Sequence, residues 1–301
     1  MAKIVIIGAS ISANTVALSL RAKDKDCAIT LITEENYPLY DRRKLPDFLK
    51  CDGVKEEDLF IYRDNSYSDS NINFLKNKEV TSVNLKKKII YFHDKTTLGY
   101  DFLVVACGLK IVPPEIPGVK KEGVFALNSL DDFKKFSRYF INEQVCLVGS
   151  DITDLNLAKA IAAKYKVEVK LLSRARFDLA SLPLEIEVLD SAPQEIIGEG
   201  EVQAVKLDSG KIIAVSAVIF REKLEGNTDF LKDTGIERLS TFIVVDSALR
   251  TNSEEVFACG AAAVWRGEAQ KIKDWDDCIR EGVLLAEEIN KAMKGETCQK
   301  S

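Results

Sequence analysis

Four residues near the start of the chain, Gly8, Ser10, Ala13 and Glu34, have the types and spacing to hold a dinucleotide. Residues 4–7 are β-branched and continuously apolar, as a strand buried on both faces reads. Gly8 breaks that run, and residues 11–20 set Val16, Leu18 and Leu20 among small residues, as in a packed helix. A second apolar run, 28–32, is followed at once by Glu34 and Glu35. Strand, tight turn, helix, strand and acidic residue, in that order, are the parts of a dinucleotide-binding βαβ unit. Gly8 would permit the turn, the positive helix end would face a pyrophosphate, and Glu34 would accept hydrogen bonds from the adenosine ribose. Ser10 stands where a middle glycine is usual, and Ala13 still lets the helix pack closely on its strand. The bland alternative is an ordinary βαβ unit of some other α/β protein.

A second unit of the same kind follows, with a strand over 144–148, a turn at Gly149, a helix over 153–164 and a strand over 167–172. Its turn reads Gly149-Ser150-Asp151-Ile152-Thr153-Asp154, so both later glycine positions hold aspartate. One like-charge contact with a diphosphate at ~4 Å, with an effective dielectric near 20, costs on the order of 4 kcal/mol. That is roughly a thousandfold in affinity. The expectation is a unit that keeps its shape without its ligand.

The elements that must position these turns fit the composition. With 301 residues, 46% hydrophobic and 30% charged, the chain has room for two globular domains. A net charge of −5 argues against a general nucleic-acid binder. No apolar run approaches the ~20 residues needed to span a bilayer. The N-terminus enters its first strand at once, which predicts no signal peptide and a cytoplasmic location. Seven cysteines show no CxxC pair. Cys107, Cys146 and Cys259 sit in apolar runs and read as small buried thiols rather than a redox disulfide or cluster site. The single histidine, His93, ends a hairpin strand and reads as a surface residue. The proline-rich stretch 112–118 marks a domain boundary.

Residues 36–49 read NYPLYDRRKLPDFL, with Tyr40, Arg42 and Leu45 in the order Tyr-x-Arg-x-x-Leu. After the leading turn and its acidic strand end, this segment resembles the FAD-dependent pyridine nucleotide–disulfide oxidoreductases. The similarity is greatest to the branch of rubredoxin reductases, ferredoxin reductases and nitrite reductase large subunits. The resemblance implies an α/β fold of two Rossmann-like βαβ dinucleotide-binding domains, the second inserted in the first. Residues 1–112 and 229–301 would form the FAD domain and 113–228 an NAD(P)H-type domain. It implies that Arg42 pairs with the pyrophosphate, that Val80 meets the adenine, and that Cys107 and Gly108 lie in a second phosphate-proximal segment. Gly260 and Ala261 would close the FAD site, with Trp275 before a helix over 276–291 whose N-terminus points at the flavin pyrimidine.

The chain departs from that family at several points. Cysteine pairs of disulfide-reducing members have no counterpart, with only Cys51 some way on, and Pro46 and Asp47 stand where several relatives carry a lysine. Cys107 replaces a threonine, and Ala261 replaces the aspartate that binds the ribityl chain. The stretch from Ser173 to the strand over 185–189 is too short for the usual long helix. Arg221, Glu222 and Lys223 follow the strand Ala217–Phe220 where relatives line the nicotinamide with a small turn. Together these predict an FAD oxidoreductase that exchanges electrons with a redox protein or larger complex, with NAD(P)H use in doubt and no side chain needed as acid or base. A working NAD(P)H-dependent reductase and a cofactor-free scaffold are the alternatives.

Overall fold

The computed structural model describes residues 1–50, 54–178 and 182–296. It divides into two compact units, Met1–Tyr40 with Phe60–Leu109 and Glu225–Ser301, and Asp41–Leu59 with Lys110–Leu224. The insertion expected after residue 112 begins near that point. The segment Asp41–Leu59, expected in the first domain, groups with the second.

In the first unit a five-stranded sheet runs in the order Val256–Ala258, Phe102–Val105, Lys3–Ile7, Ala28–Ile32, Ile72–Leu75, with every pairing parallel. Ile4 and Ile6 are fully buried, as the unbroken apolar run requires. From the central strand Lys3–Ile7 the chain proceeds first to one side and later to the other. The ends of Lys3–Ile7 and Phe102–Val105 therefore flank a topological switch point, the place where open α/β sheets take ligands. The helix α1 (Ile11–Lys23) buries Ala13, Val16, Ala17 and Leu20.

Arg21 sits at the end of α1, only 8% exposed, and donates to the carbonyls of Asp24, Lys25, Cys27, Ser70 and Asn71. It gathers these turn carbonyls around one guanidinium, so Arg21→Met is expected to cost about 2 kcal/mol by denaturant unfolding.

In the second unit α2 (Leu45–Lys50) packs on two later helices, α4 (Leu130–Ser137) and α5 (Ile152–Tyr165), through the buried Leu45 and Leu49. That apolar seam is why Asp41–Leu59 belongs there. The intervening helix α3 (Asp64–Asp69) lies in the first unit, as does α6 (Trp275–Met293). The second unit's sheet is also five-stranded and parallel, in the order Ile186–Leu189, Val169–Leu172, Val145–Val148, Ala217–Phe220, Val124–Ala126. The two expected βαβ units are both present.

Between Val169–Leu172 and Ile186–Leu189 the described residues hold no helix. An antiparallel sheet of Pro193–Ile197, Ala204–Leu207 and Ile212–Ala214 completes the unit. Among the described residues no helix is long and apolar enough to cross a membrane, and no group of His, Cys, Asp and Glu could hold a metal. Cys51 lies outside the described residues.

Candidate functional site

The leading turn is built by close approach of backbones. Gly8 has φ +119°, and its amide donates to Ile32 O at 2.8 Å. A Cβ there would lie 2.1 Å from Ala106 O, so only glycine lets the two strand ends come together. Ser10 is the N-cap of α1 in extended conformation, its side chain makes no capping hydrogen bond, and no acidic residue occupies the first turn. The first amides of α1 thus receive no cap from Ser10 and no charge compensation from an acid in their own turn. Ala13, fully buried, sits in that first turn. Asn14, which sequence reasoning passed over, ties the turn from below by donating to Ala9 O at 2.7 Å and Ser10 O at 3.1 Å.

Two further segments meet this turn. Cys107 and Gly108 follow the neighbouring strand Phe102–Val105, and Gly108 has φ +69° with open space around its Cβ position. Gly260 has φ +73°, and a Cβ there would lie 2.3 Å from Ser12 Oγ, so it sits directly against the start of α1. Ala261, half-buried, occupies the single turn Gly260–Ala262. The Gly260 amide donates to the buried Glu281 Oε2 at 2.7 Å. Glu281 was not singled out from the sequence, and no local pattern marks it, because its partners lie on other elements.

Glu34 is exposed just past Ala28–Ile32, at a cavity of about 230 Å³ lined also by Lys78, Phe92 and His93. Asn227 Nδ2 lies 3.5 Å from its Oε1, while the neighbouring Glu35 accepts from Tyr40 Oη at 2.6 Å. Val80 opens the strand Val80–Asn84, opposite Phe92 and half-buried on the core. Trp275 is the first residue of α6, whose N-cap Asp274 accepts from the Asp277 amide at 2.7 Å. With Asp276 and Asp277 in its first turn, α6 carries its own compensating charge. Arg42 lies in the second unit, where its Nη1 donates to Asn128 O at 2.8 Å. The next residue, Arg43, chelates Asp41 through Nε and Nη2 and holds that carboxyl below the usual range, against the opposing effect of burial.

The second turn is organised differently. Asp151 caps α5, its Oδ1 accepting from Thr153 N at 2.7 Å and Asp154 N at 3.0 Å. Asp154, 2% exposed, turns back over its own turn, and its Oδ2 accepts from Ser150 N at 2.7 Å and Asp151 N at 3.2 Å. Its other oxygen takes Arg221 Nε at 2.8 Å, and Arg221 Nη1 donates to Leu127 O. The amides that a phosphate would use are thus filled by the chain's own carboxylates. Sequence reasoning placed both aspartates at the turn but treated them as bare charges, whereas Asp154 has a partner 67 residues on. Burial, and next the Asp154 carboxylate, push the Glu222 carboxyl above its ordinary value.

A family model described as pyridine nucleotide-disulphide oxidoreductase matches residues 2–282. The chain is 24% identical, over 95% of its length and 74% of the relative's, to the benzene 1,2-dioxygenase system ferredoxin–NAD(+) reductase subunit of Pseudomonas putida. It is 27% identical, over 85% of its length, to an NADH oxidase of Methanocaldococcus jannaschii, of which it spans 62%. Among solved structures, putidaredoxin reductase in its covalent complex with putidaredoxin superposes with a TM-score of 0.83 at 20% identity. That match covers all of this chain and 77% of the other, a likeness of fold.

Proposed function

The chain belongs to the pyridine nucleotide-disulphide oxidoreductase family, and from that premise we propose that it is an FAD-binding oxidoreductase subunit that trades electrons with a partner redox protein and has lost its nicotinamide site. The observation that carries this reading is the contrast between the two turns. At the first, the amides of α1 carry no side-chain cap and Gly8 lets the backbone close in. At the second, the equivalent donors are consumed by Asp151 and by a buried Asp154–Arg221 pair. A diphosphate would have to displace Asp154, and opening a buried ion pair costs about 3–5 kcal/mol. That is on the order of a hundredfold to several thousandfold in affinity.

The residues at the first turn fit FAD. The α1 amides, from Ser10 to Ala13, would take the pyrophosphate, Glu34 the ribose, Val80 the adenine side, and Cys107–Gly108 with Gly260–Ala261 the remainder. Trp275 completes the proposed set in the first unit. Bound FAD would supply reversible acceptance and release of electrons. The chain's own part is to orient and tune, and no side chain needs to move a proton for simple electron transfer. Putidaredoxin reductase is seen joined to putidaredoxin, which supports a redox protein as the partner here.

Two other readings have observations in their favour. The relatives' names, an NAD(+) reductase subunit and an NADH oxidase, favour a working NAD(P)H-dependent reductase. Ala261 and the self-compensated α6 favour a cofactor-free scaffold. Absorbance of the purified full chain separates the three. The proposal expects a flavin spectrum that dithionite bleaches and NADH or NADPH does not. A colourless protein that stays empty with excess FAD removes the flavin, and rapid bleaching by NADH or NADPH restores the nicotinamide site. Ala261→Asp is expected to tighten FAD by about tenfold in a fluorescence titration of flavin-free protein, the yield of one charge-assisted hydrogen bond.

A further inference from the structure

We propose that the first unit holds a second small-molecule site, for a planar organic acid, in the cavity between α6 and the strand Ala263–Trp265. The cavity measures about 320 Å³, the lower end of the range typical of ligand pockets. Trp265, Val264 and Leu284 give it an apolar wall, while Lys271, Lys273 and Glu281 bring charge to it.

The hydrogen bonds around it decide which charge a ligand must carry. Glu281 is 7% exposed and saturated, with Oε2 taken by Gly260 N at 2.7 Å and Oε1 by Trp265 Nε1 at 3.1 Å and Lys273 Nζ at 2.6 Å. Asp277, also on the wall, is occupied by the Asp274 amide and by Arg280. Both of these carboxylates are thus already engaged by the chain's own donors, while Glu268 and Arg280, of opposite sign, stand exposed on the same lining. Lys273 is the reverse case. Its ammonium is buried and, beyond the ion pair with Glu281, has no hydrogen-bond partner among the described residues.

An ammonium carries three N–H donors, so a buried one with a single counterion leaves donors asking for an acceptor. Lys271 stands exposed at the same cavity and adds a second positive charge. A carboxylate supplies the acceptor with the matching sign, and a flat ring attached to it would lie on the Trp265 indole. None of the residues lining this cavity is among those assigned above to FAD, although Glu281 holds the Gly260 amide and Lys273 and Asp277 flank Trp275.

Calorimetric titration of the full chain with benzoate, and with benzamide as its neutral counterpart, tests the assignment. Benzoate is expected to bind one to one, and about tenfold or more tighter than benzamide, since only the acid pairs with the ammonium. Lys273→Met should weaken benzoate by at least about tenfold. Because that change strips Glu281 of its counterion and can unfold the unit, Ala269→Trp is the companion variant. It fills the cavity from an exposed loop position without touching an ion pair, and should abolish binding. Absence of benzoate binding into the low millimolar range, equal binding of benzamide, or unaltered benzoate binding by Ala269→Trp each overturns the proposal.

Discussion

Gly8→Ala is expected to destabilise the protein by at least about 3 kcal/mol and to abolish whatever the first turn binds. Two independent effects add. Alanine resists φ +119°, and its Cβ would stand 2.1 Å from Ala106 O, a backbone atom held in the sheet by Ile7 and its neighbours. Nothing flexible can yield at that contact, so the two central strands must part at the switch point. Gly108→Ala is the control, because its φ is +69° with nothing within 4 Å of the new methyl. It should cost only the left-handed penalty of about 1–2 kcal/mol. Denaturant midpoints of the full chain read the difference. If Gly8→Ala were as mild as Gly108→Ala, the close approach would not be the reason for glycine there.

Asp154→Ala is expected to cost about 3–5 kcal/mol, the penalty for leaving a largely buried guanidinium without its partner. Asp154 and Arg221 have side chains only 3% and 20% exposed, so solvent screens the pair weakly. Removing both partners together, as Asp154→Ala with Arg221→Met, should recover more than half of that loss, since an apolar replacement of a buried pair is often tolerated. A double-mutant cycle on unfolding free energies checks this. Additive losses would mean that the two side chains are not coupled. The same turn supplies the functional test. Asp151→Gly with Asp154→Gly clears the amides of α5, and should let NADH bleach a flavin that the parent protein keeps oxidised. Arg221, released from Asp154, would then face the vacated turn as a cation. If the cleared turn still bound no dinucleotide, the self-capping would not be what closes it.

Much of this molecule was legible in one dimension because its elements announce themselves locally. Four consecutive buried apolar residues, a glycine, and a run of small and aliphatic residues specify strand, turn and helix through near-neighbour sterics and periodicity alone. The repetition of that pattern from Val145–Val148 onward marked a second unit, and the aspartates at its turn marked it as altered. Gly8 could be assigned its role from type and place, since few residues survive where strand ends nearly touch.

What only the folded chain decided was the choice of partners for polar side chains. Asp154 reads as an exposed charge until the strand Ala217–Phe220 delivers Arg221 to it. The bond from Arg42 to the Asn128 carbonyl joins residues 86 apart, and the apolar seam of α2 carries the whole segment into the second unit. Glu281 is one more acid on a helix until it gathers Gly260, Trp265 and Lys273. Backbone preferences act over a few residues, whereas a buried charge must find its compensation wherever the sheet order places it. Sequence therefore determined which elements form and where glycine is required. The three-dimensional packing determined that one helix terminus is left open while its counterpart is sealed by its own carboxylates.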